Sequence, residues 1–497
     1  MKGMNRIMNN FLNGLKAATN YIITENGAIA NRSTLNDILD MFAFGAAYRN
    51  RSDEDCILLF KNAYEEDNIL ALRCLFYIRD IRGGQGERRF FRTCMNWLAQ
   101  KEPNVVLRLF DHFAEYGRWD DFYCLVGTPC EYEMWNYLKN QFLLDLESET
   151  PSLLGKWLKS ENTSSLKSKL LGKKTRKAFQ LTPAMYRRGL SNLRKKINIV
   201  ETLMSQNRWE EIEFDKIPSK AGIKYKNAFA RRDIIAKKYE AFAKDENTKV
   251  NAGTLYPYEV VAQAKAHRYR FNSQSEETKT ERAMINKYWD NLTDYFNGQS
   301  LSAICVVDTS GSMWGTPIEV AMSLGIYCAE RNTGDFKDYY ISFSEKPRFV
   351  KVEGIDFVDK VERIVDNEII ENTNIEAVFD LLLNIVKNNP KAIKDMPKNI
   401  IIISDMEFDR ARYGYEDTDT LFENIKKKWD AEGIKMPHLI FWNVDARQNN
   451  IPIINENQPI SYVSGFSPSI FETIISGKSG VALMMEVLNS ERYAQIN

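Results

Sequence analysis

Asp308, Ser310 and Ser312 stand on ICVVDTSGSMWG (304–315), where four apolar residues run into an acid and two hydroxyls follow at alternate positions. Such an all-oxygen set suits a hard cation. Mg²⁺ takes about six oxygens at about 2.1 Å and keeps several of them as water. Asp405 closes a second apolar run, IIIISD (400–405), and Thr373 in ENTNIEAVF (371–379) heads a helical stretch with a third hydroxyl. Serine, threonine and aspartate also cap helices, so the D-x-S-x-S spacing alone is weak. Together, two acids that close apolar runs and three hydroxyls on adjoining loops point to one Mg²⁺ or Mn²⁺ site made by Asp308, Ser310, Ser312, Thr373 and Asp405. The three histidines (112, 267 and 438) offer little for a zinc site or a catalytic triad. A lone cation with serine ligands and no positioned base matches no metal-hydrolase arrangement, so a non-enzymatic chain with no catalytic residue is expected.

Two stretches carry cations in a different pattern. YIRDIRGGQGERR (77–89) sets Arg79, Arg82, Arg88 and Arg89 around a glycine turn. Read functionally, it is a flexible loop presenting guanidinium forks and backbone amides to phosphates; read structurally, it is a helix end with its arginines solvated or paired. It is not a P-loop, since no Lys-Ser/Thr follows the glycines. Residues 151–200 hold 13 basic residues against one acid, Glu161. Lys156, Lys173, Lys174, Arg176, Lys177, Arg187, Arg188, Arg194, Lys195 and Lys196 interleave there with Trp157, Phe179 and Tyr186. Cations for phosphates and rings for unpaired bases describe a nucleic-acid surface. A solvated helix face, or an acidic protein surface including this chain's own second half, remains the competing account.

The net charge of zero hides an asymmetry: residues 301–497 carry 20 Lys+Arg against 30 Asp+Glu, leaving 47 against 37 for residues 1–300. Over the first 297 residues, apolar positions recur at three- and four-residue spacing, as in Leu35, Ile38, Leu39, Phe42. Short Gly/Pro breaks separate these runs, which predicts stacked antiparallel helix pairs in a solenoid. A polar connector is expected near 272–281, followed by a helix over 283–297. From 298 onward, SAICVVD, DYYISFS, KNIIIISD and PHLIFWNV alternate with helical segments 318–330, 375–388 and 420–432. This predicts a doubly wound α/β domain over 298–497 with ligands at the strands' carboxyl ends. Seven cysteines without a CxxC pair suggest reduced thiols and a cytoplasmic setting, and no apolar run is long enough for a membrane span.

The order D-x-S-x-S, then threonine, then a strand-terminal aspartate resembles the metal-ion-dependent adhesion site of von Willebrand factor A domains. Adhesion-type A domains often end on Thr-Asp-Gly, whereas Ser404-Asp405 here precedes Met406, Glu407, Phe408 and Asp409. The two further acids would add a ligand or repel an anionic one. A basic helical half before such a domain resembles the Ro autoantigen family, whose TROVE module is a ring of HEAT-like helices. LFYIRDIRGGQGERRFF (75–91), YGRWDDF (116–122), KWLKSENTSS (156–165) and LYPYEVV (255–261) are similar to an uncharacterised TROVE-like family of plants, fungi, phages and large DNA viruses. The resemblance implies a ribonucleoprotein scaffold that binds small structured or single-stranded RNA, with Mg²⁺ and a possible protein partner at the A domain. The alternative is protein–protein assembly, including a virion component, with the metal site capturing a partner's carboxylate. A viral chain of this kind would occupy the host cytoplasm or the virion.

Overall fold

Helices fill the chain between Asp37 and Asp290, and their ends carry the expected chemistry. The computed structural model describes residues 14–16, 18–268, 275–343, 345–367, 372–410, 419–454 and 459–497. Helix Asp53–Glu66 starts on Ser52, whose side chain accepts from the Asp55 amide, and has three acids in its first turn. Pro183–Lys196 starts on Thr182, has proline in its first turn and three cations in its last. Side-chain caps satisfy otherwise orphaned amides, and the charges suit the helix dipole. One element departs from the helical expectation. Strands β1 (Tyr21–Ile23) and β2 (Ile29–Asn31) form a hairpin in the register Tyr21↔Asn31 to Ile23↔Ile29.

The second half is an α/β domain around a six-stranded sheet of β3 (Ala303–Asp308), β4 (Tyr339–Phe343), β5 (Pro347–Lys351), β6 (Asn399–Ser404), β7 (His438–Asn443) and β8 (Ile460–Ser464). Its order is β5-β4-β3-β6-β7-β8, with only β5 antiparallel to its neighbour. The chain moves outward from β3 through β4 to β5, then returns to the other side of β3 at β6. The crevice between β3 and β6 is therefore the topological switch point, where open α/β sheets bind ligands. Ile400 to Ile403 have no exposed surface, as expected of a central strand covered on both faces.

Both ends of the helical run grip this domain. At the early end, helix Asp37–Phe44 packs on β8, and helix Asn68–Arg79 packs on the C-terminal helices Gly480–Leu488 and Glu491–Ala494. Asp80, with no exposed surface, accepts Arg492 at both carboxylate oxygens and the Tyr493 hydroxyl at 2.8 Å. At the late end, helices Pro257–Arg268 and Glu276–Asp290 pack on Thr316–Arg331 and Phe357–Asp366. There Arg282 forks onto Asp356 at 2.8 and 2.7 Å, and Trp289 stacks on Phe357 at 3.9 Å. The connector expected at 272–281 is only partly one. Ser275 caps helix Glu276–Asp290, so residues 276–281 are already helical and the helix lies earlier than 283–297. Two glutamates in that first turn suit the helix N-terminus, and Thr280, Met284 and Ile285 are buried. Residues 269–274 lie outside the described residues.

Two stability predictions follow from these contacts. Asp80→Asn should lower unfolding free energy by about 2–4 kcal/mol, below the range for a fully buried pair because Arg492 is 33% exposed. Faster amide exchange over 489–497 than elsewhere should accompany it. His438 joins three strands, with Nδ1 3.0 Å from Asn399 Oδ1 and Nε2 2.9 Å from Ser461 Oγ. Burial lowers its pKa from 6.5 to about 4. Because the charged form is disfavoured in the fold, its contribution is complete above pH 6.5 and is lost as pH falls toward 4. Wild type should therefore lose about 1–2 kcal/mol more than His438→Asn between pH 7 and 5 in urea titrations.

Candidate functional site

The sheet delivers two carboxylates to its switch point. Asp308 ends β3 with no exposed surface, and its oxygens accept the Ser310 amide at 2.9 Å and the Ser404 hydroxyl at 2.5 Å. The Ser404 hydroxyl also lies 3.5 Å from Asp405 Oδ1, so one side chain spans both acids. Ser310 and Ser312 bring their hydroxyls within 3.0 Å of each other. Thr373, 1% exposed, joins through its carbonyl, which accepts the Asp409 amide at 3.0 Å. Asp308, Ser310, Ser312 and Asp405 thus gather at one edge, with Thr373 on the adjoining loop.

Electrostatically the acids at this edge outnumber the cation that meets them. Burial, then the neighbouring Asp405, pushes Asp308 up to about 7. Glu407 is also raised to about 7, by burial and then by Asp405 and Glu25. Arg447 binds Asp405 Oδ2 at 2.5 Å and Glu25 at 3.1 Å. Glu407 Oε1 is buried without a hydrogen-bond partner among the described residues. Met406 takes φ +65° although only 2% exposed, a left-handed conformation that costs a non-glycine residue about 1–2 kcal/mol. The donor set fits a hard divalent cation: oxygen only, two strand-end carboxylates, hydroxyls beside them, and surplus negative charge. It is not a cluster of three or more His, Cys, Asp or Glu, and none of that kind occurs among the described residues. Asp308, Ser310, Ser312, Thr373 and Asp405 would hold the ion, which would neutralise these acids.

Ser404, Arg447 and Glu25 are additions that spacing alone does not supply, whereas Glu407 is one of the two further acids the sequence offers. Ser404 is the last residue of β6 and Arg447 stands shortly past β7, so both are recognisable in hindsight by position; Glu25 is remote in sequence.

The cations divide into two groups. A cavity of about 920 Å³ is lined by Arg49, Arg79, Arg82, Arg88, Arg89, Arg118, Lys156 and Lys220 with Trp119, Trp157, Tyr256 and Tyr258, against the single acid Glu87. A second cavity of about 780 Å³ shares Lys156 and Trp157 and adds Tyr186, Arg187, Arg194 and Lys224. Five of the expected RNA-contacting residues therefore reach the first cavity, and Arg187 and Arg194 the second. Several of these, and some outside the cavities, also serve the fold. Arg79 is buried on Asp121 at 2.7 Å, and Arg89 pairs with Asp53 at 2.6 Å. Arg176 pairs with Glu161 at 2.8 Å. Arg194 and Lys196 donate to backbone carbonyls. Lys173, Lys174, Lys177, Arg188 and Lys195 are exposed and line neither cavity.

The glycine loop is packed rather than free. The amides of Gln85, Gly86 and Glu87 already donate to the carbonyls of Tyr77, Asp80 and Ile78. A Cβ at Gly84 would sit 2.0 Å from the Tyr77 carbonyl oxygen, and one at Gly86 (φ +65°) 1.9 Å from the Tyr256 hydroxyl. Gln85 is buried and accepts the Ser467 amide of the α/β domain. Arg82 and Arg88 alone among the loop's four arginines are exposed. Trp157 receives Arg118 at 4.6 Å and Lys156 at 5.6 Å on its ring face. Arg118 is held below the usual arginine range by burial and then by the cation of Arg79, with Arg88 adding to it and Asp120 opposing.

Comparison with known proteins places the chain without assigning an activity. A family described as domain of unknown function (DUF7788) matches residues 302–493. Uncharacterized protein L728 of Acanthamoeba polyphaga mimivirus is 27% identical over 515 residues, covering 94% of this chain and 87% of that protein. Neither description names a TROVE or von Willebrand module. The family described as domain of unknown function (DUF2828) matches residues 24–169 and 152–300, more than half of the chain, and the chain belongs to that family.

Proposed function

We propose that this protein is a non-enzymatic RNA-binding scaffold. The helical half takes single-stranded RNA into the basic, aromatic cavity, and the α/β domain holds Mg²⁺ at the switch point. One observation carries the RNA reading: a single cavity gathers Arg82, Arg88, Arg118, Lys156 and Lys220 around the Trp157 ring against the one acid Glu87 of its lining, with Arg118 4.6 Å over that ring. Phosphates would meet the cations, and the ring would stack an unpaired base. The likeness to Ro proteins with their TROVE ring and von Willebrand A domain supports the same reading, because both ends of the helical run here fasten to one α/β domain.

The histidines supply no catalytic base to the metal centre. His112 packs among Phe76 and Tyr116, His267 lies against the Thr278 carbonyl and Glu362, and His438 joins strands. All seven cysteines are free thiols, which suits a reducing compartment such as the cytoplasm. Among the described residues no helix is long and apolar enough to cross a membrane.

Fluorescence anisotropy with single-stranded RNA tests the cavity. Log K should fall with log salt by about 0.7 per phosphate contacted. Arg88→Ala with Arg118→Ala should flatten that slope by about 1.4. Trp157→Ala should weaken binding by about 1–3 kcal/mol with the slope unchanged. Charge reversal at Lys173, Lys174 and Lys177, outside the cavity, should have a smaller effect than the two arginine changes. Absence of binding at low salt would favour the assembly reading. For the metal, Asp308→Ala should abolish the Mg²⁺ or Mn²⁺ heat in titration calorimetry while far-UV circular dichroism keeps its helical signal. Asp308→Asn, nearer in shape, should also remove binding.

A further inference from the structure

The candidate metal centre is bordered by a segment from the other half of the chain. The turn between β1 and β2, Thr24 to Gly27, lies across the 405–410 loop. Thr24 Oγ1 donates to the Phe408 carbonyl at 2.7 Å, and the Glu25 amide donates to Glu407 Oε2 at 2.7 Å. Asn26 Nδ2 donates to the Glu407 carbonyl at 2.5 Å and lies 3.3 Å from the Thr373 hydroxyl, one of the five expected ligands. The Arg410 amide returns a bond to the Asn26 carbonyl, and Gly27 bridges Asp409. Through Arg447, the Glu25 carboxylate sits one guanidinium away from Asp405.

We propose that the metal centre takes its anionic ligand in cis, with Glu25 as the carboxylate and the Thr24–Gly27 turn as its resident occupant. This rests on the Mg²⁺ reading of the site. Charge supports it. Asp405 and Glu25 share the guanidinium of Arg447, the Ser404 hydroxyl joins Asp308 to Asp405, and Glu407 accepts the Glu25 amide while its Oε1 is left buried without a partner among the described residues. A divalent cation would offset most of that surplus and make a fourth carboxylate at the edge favourable. The turn also reaches Thr373, one of the five expected ligands, through Asn26. The centre then fastens the N-terminal hairpin to the α/β domain instead of recruiting a partner.

Linkage makes the idea quantitative: if docking of the turn strengthens cation binding by some factor, the cation must stabilise docking by the same factor. The experiment titrates Mg²⁺ calorimetrically into wild type and Glu25→Gln, and follows amide exchange of residues 21–31 with and without saturating Mg²⁺. We expect Mg²⁺ to slow exchange across the hairpin in wild type. Glu25→Gln should weaken Mg²⁺ binding about tenfold, within the usual range of coupling factors, and abolish the added protection. If wild type binds Mg²⁺ but the hairpin's exchange is indifferent to it and the variant binds equally well, the cis ligand is overturned while the metal site stands. If wild type binds no Mg²⁺, both readings fail.

Discussion

Closure of the helical run onto the α/β domain is the constraint on which both candidate sites depend. Asp80 is its most concentrated point. A carboxylate without exposed surface accepts both donors of Arg492 and the Tyr493 hydroxyl, so the end of the chain is tied to the end of helix Asn68–Arg79. Its Oδ1 also accepts the Arg82 amide at 3.0 Å. The same residue that anchors the C-terminus therefore sets the loop from which Arg82 and Arg88 enter the cavity. Removing one partner would leave buried charge uncompensated, so this junction resists piecemeal loosening. The glycines of that loop answer to the same packing, since Gly84 and Gly86 have no room for a Cβ.

The sequence shows the architecture more clearly than the sites. Runs such as IIIIS and ICVV are apolar because their strands are covered on both faces, and a strand of that kind can be read without knowing its neighbours. The edge strand PRFVK is half exposed and mixed in character, so nothing in its composition separates it from a loop. The hairpin at 21–31 carried a signal that helical periodicity obscured. Asn26-Gly27 between YII and AIA is the dipeptide of a tight hairpin, and Gly27 takes φ +91°. Its strands are only three residues long, and bonds from Asn31 to Ile451 and from Thr24 to Phe408 help hold it. Those partners lie some four hundred residues away and leave no local trace.

Charge density misdirects for a related reason. The 13-to-1 excess in 151–200 counts cations without regard to what they touch. Arg176 meets Glu161, Arg194 and Lys196 meet carbonyls, and Lys173, Lys174 and Lys177 face solvent. The cavity instead draws its cations from separate segments: Arg49, the 79–89 loop, Arg118, Lys156 and Lys220. Of these only the loop and Lys156 belong to stretches that stand out in the sequence. Nor does the opposite sign of the two halves mean that the basic helix docks on the acidic domain. The seam is held by other pairs, Arg282–Asp356, Lys265–Glu319, Arg447–Glu25 and Arg492–Asp80.

At the candidate metal centre the legible and illegible parts meet within five residues. Asp405 can be read because it directly follows an apolar strand, whereas the course of 406–409 follows from strain that only the folded backbone reveals. A left-handed Met406 is retained because its amide bonds the Ser404 hydroxyl at 2.9 Å and the next amide bonds Asp405 Oδ1 at 3.0 Å. Those two bonds fix the same groups that orient the paired carboxylates. The turn also presents Glu407 to the Glu25 amide, so a residue held in an unfavourable conformation serves the carboxylate pair on one side and the hairpin on the other. Strain kept at such a place is evidence that the surrounding contacts overdetermine it. Here those contacts come from both halves of the chain, so the switch point of the sheet and the closure of the helical run form one connected structure.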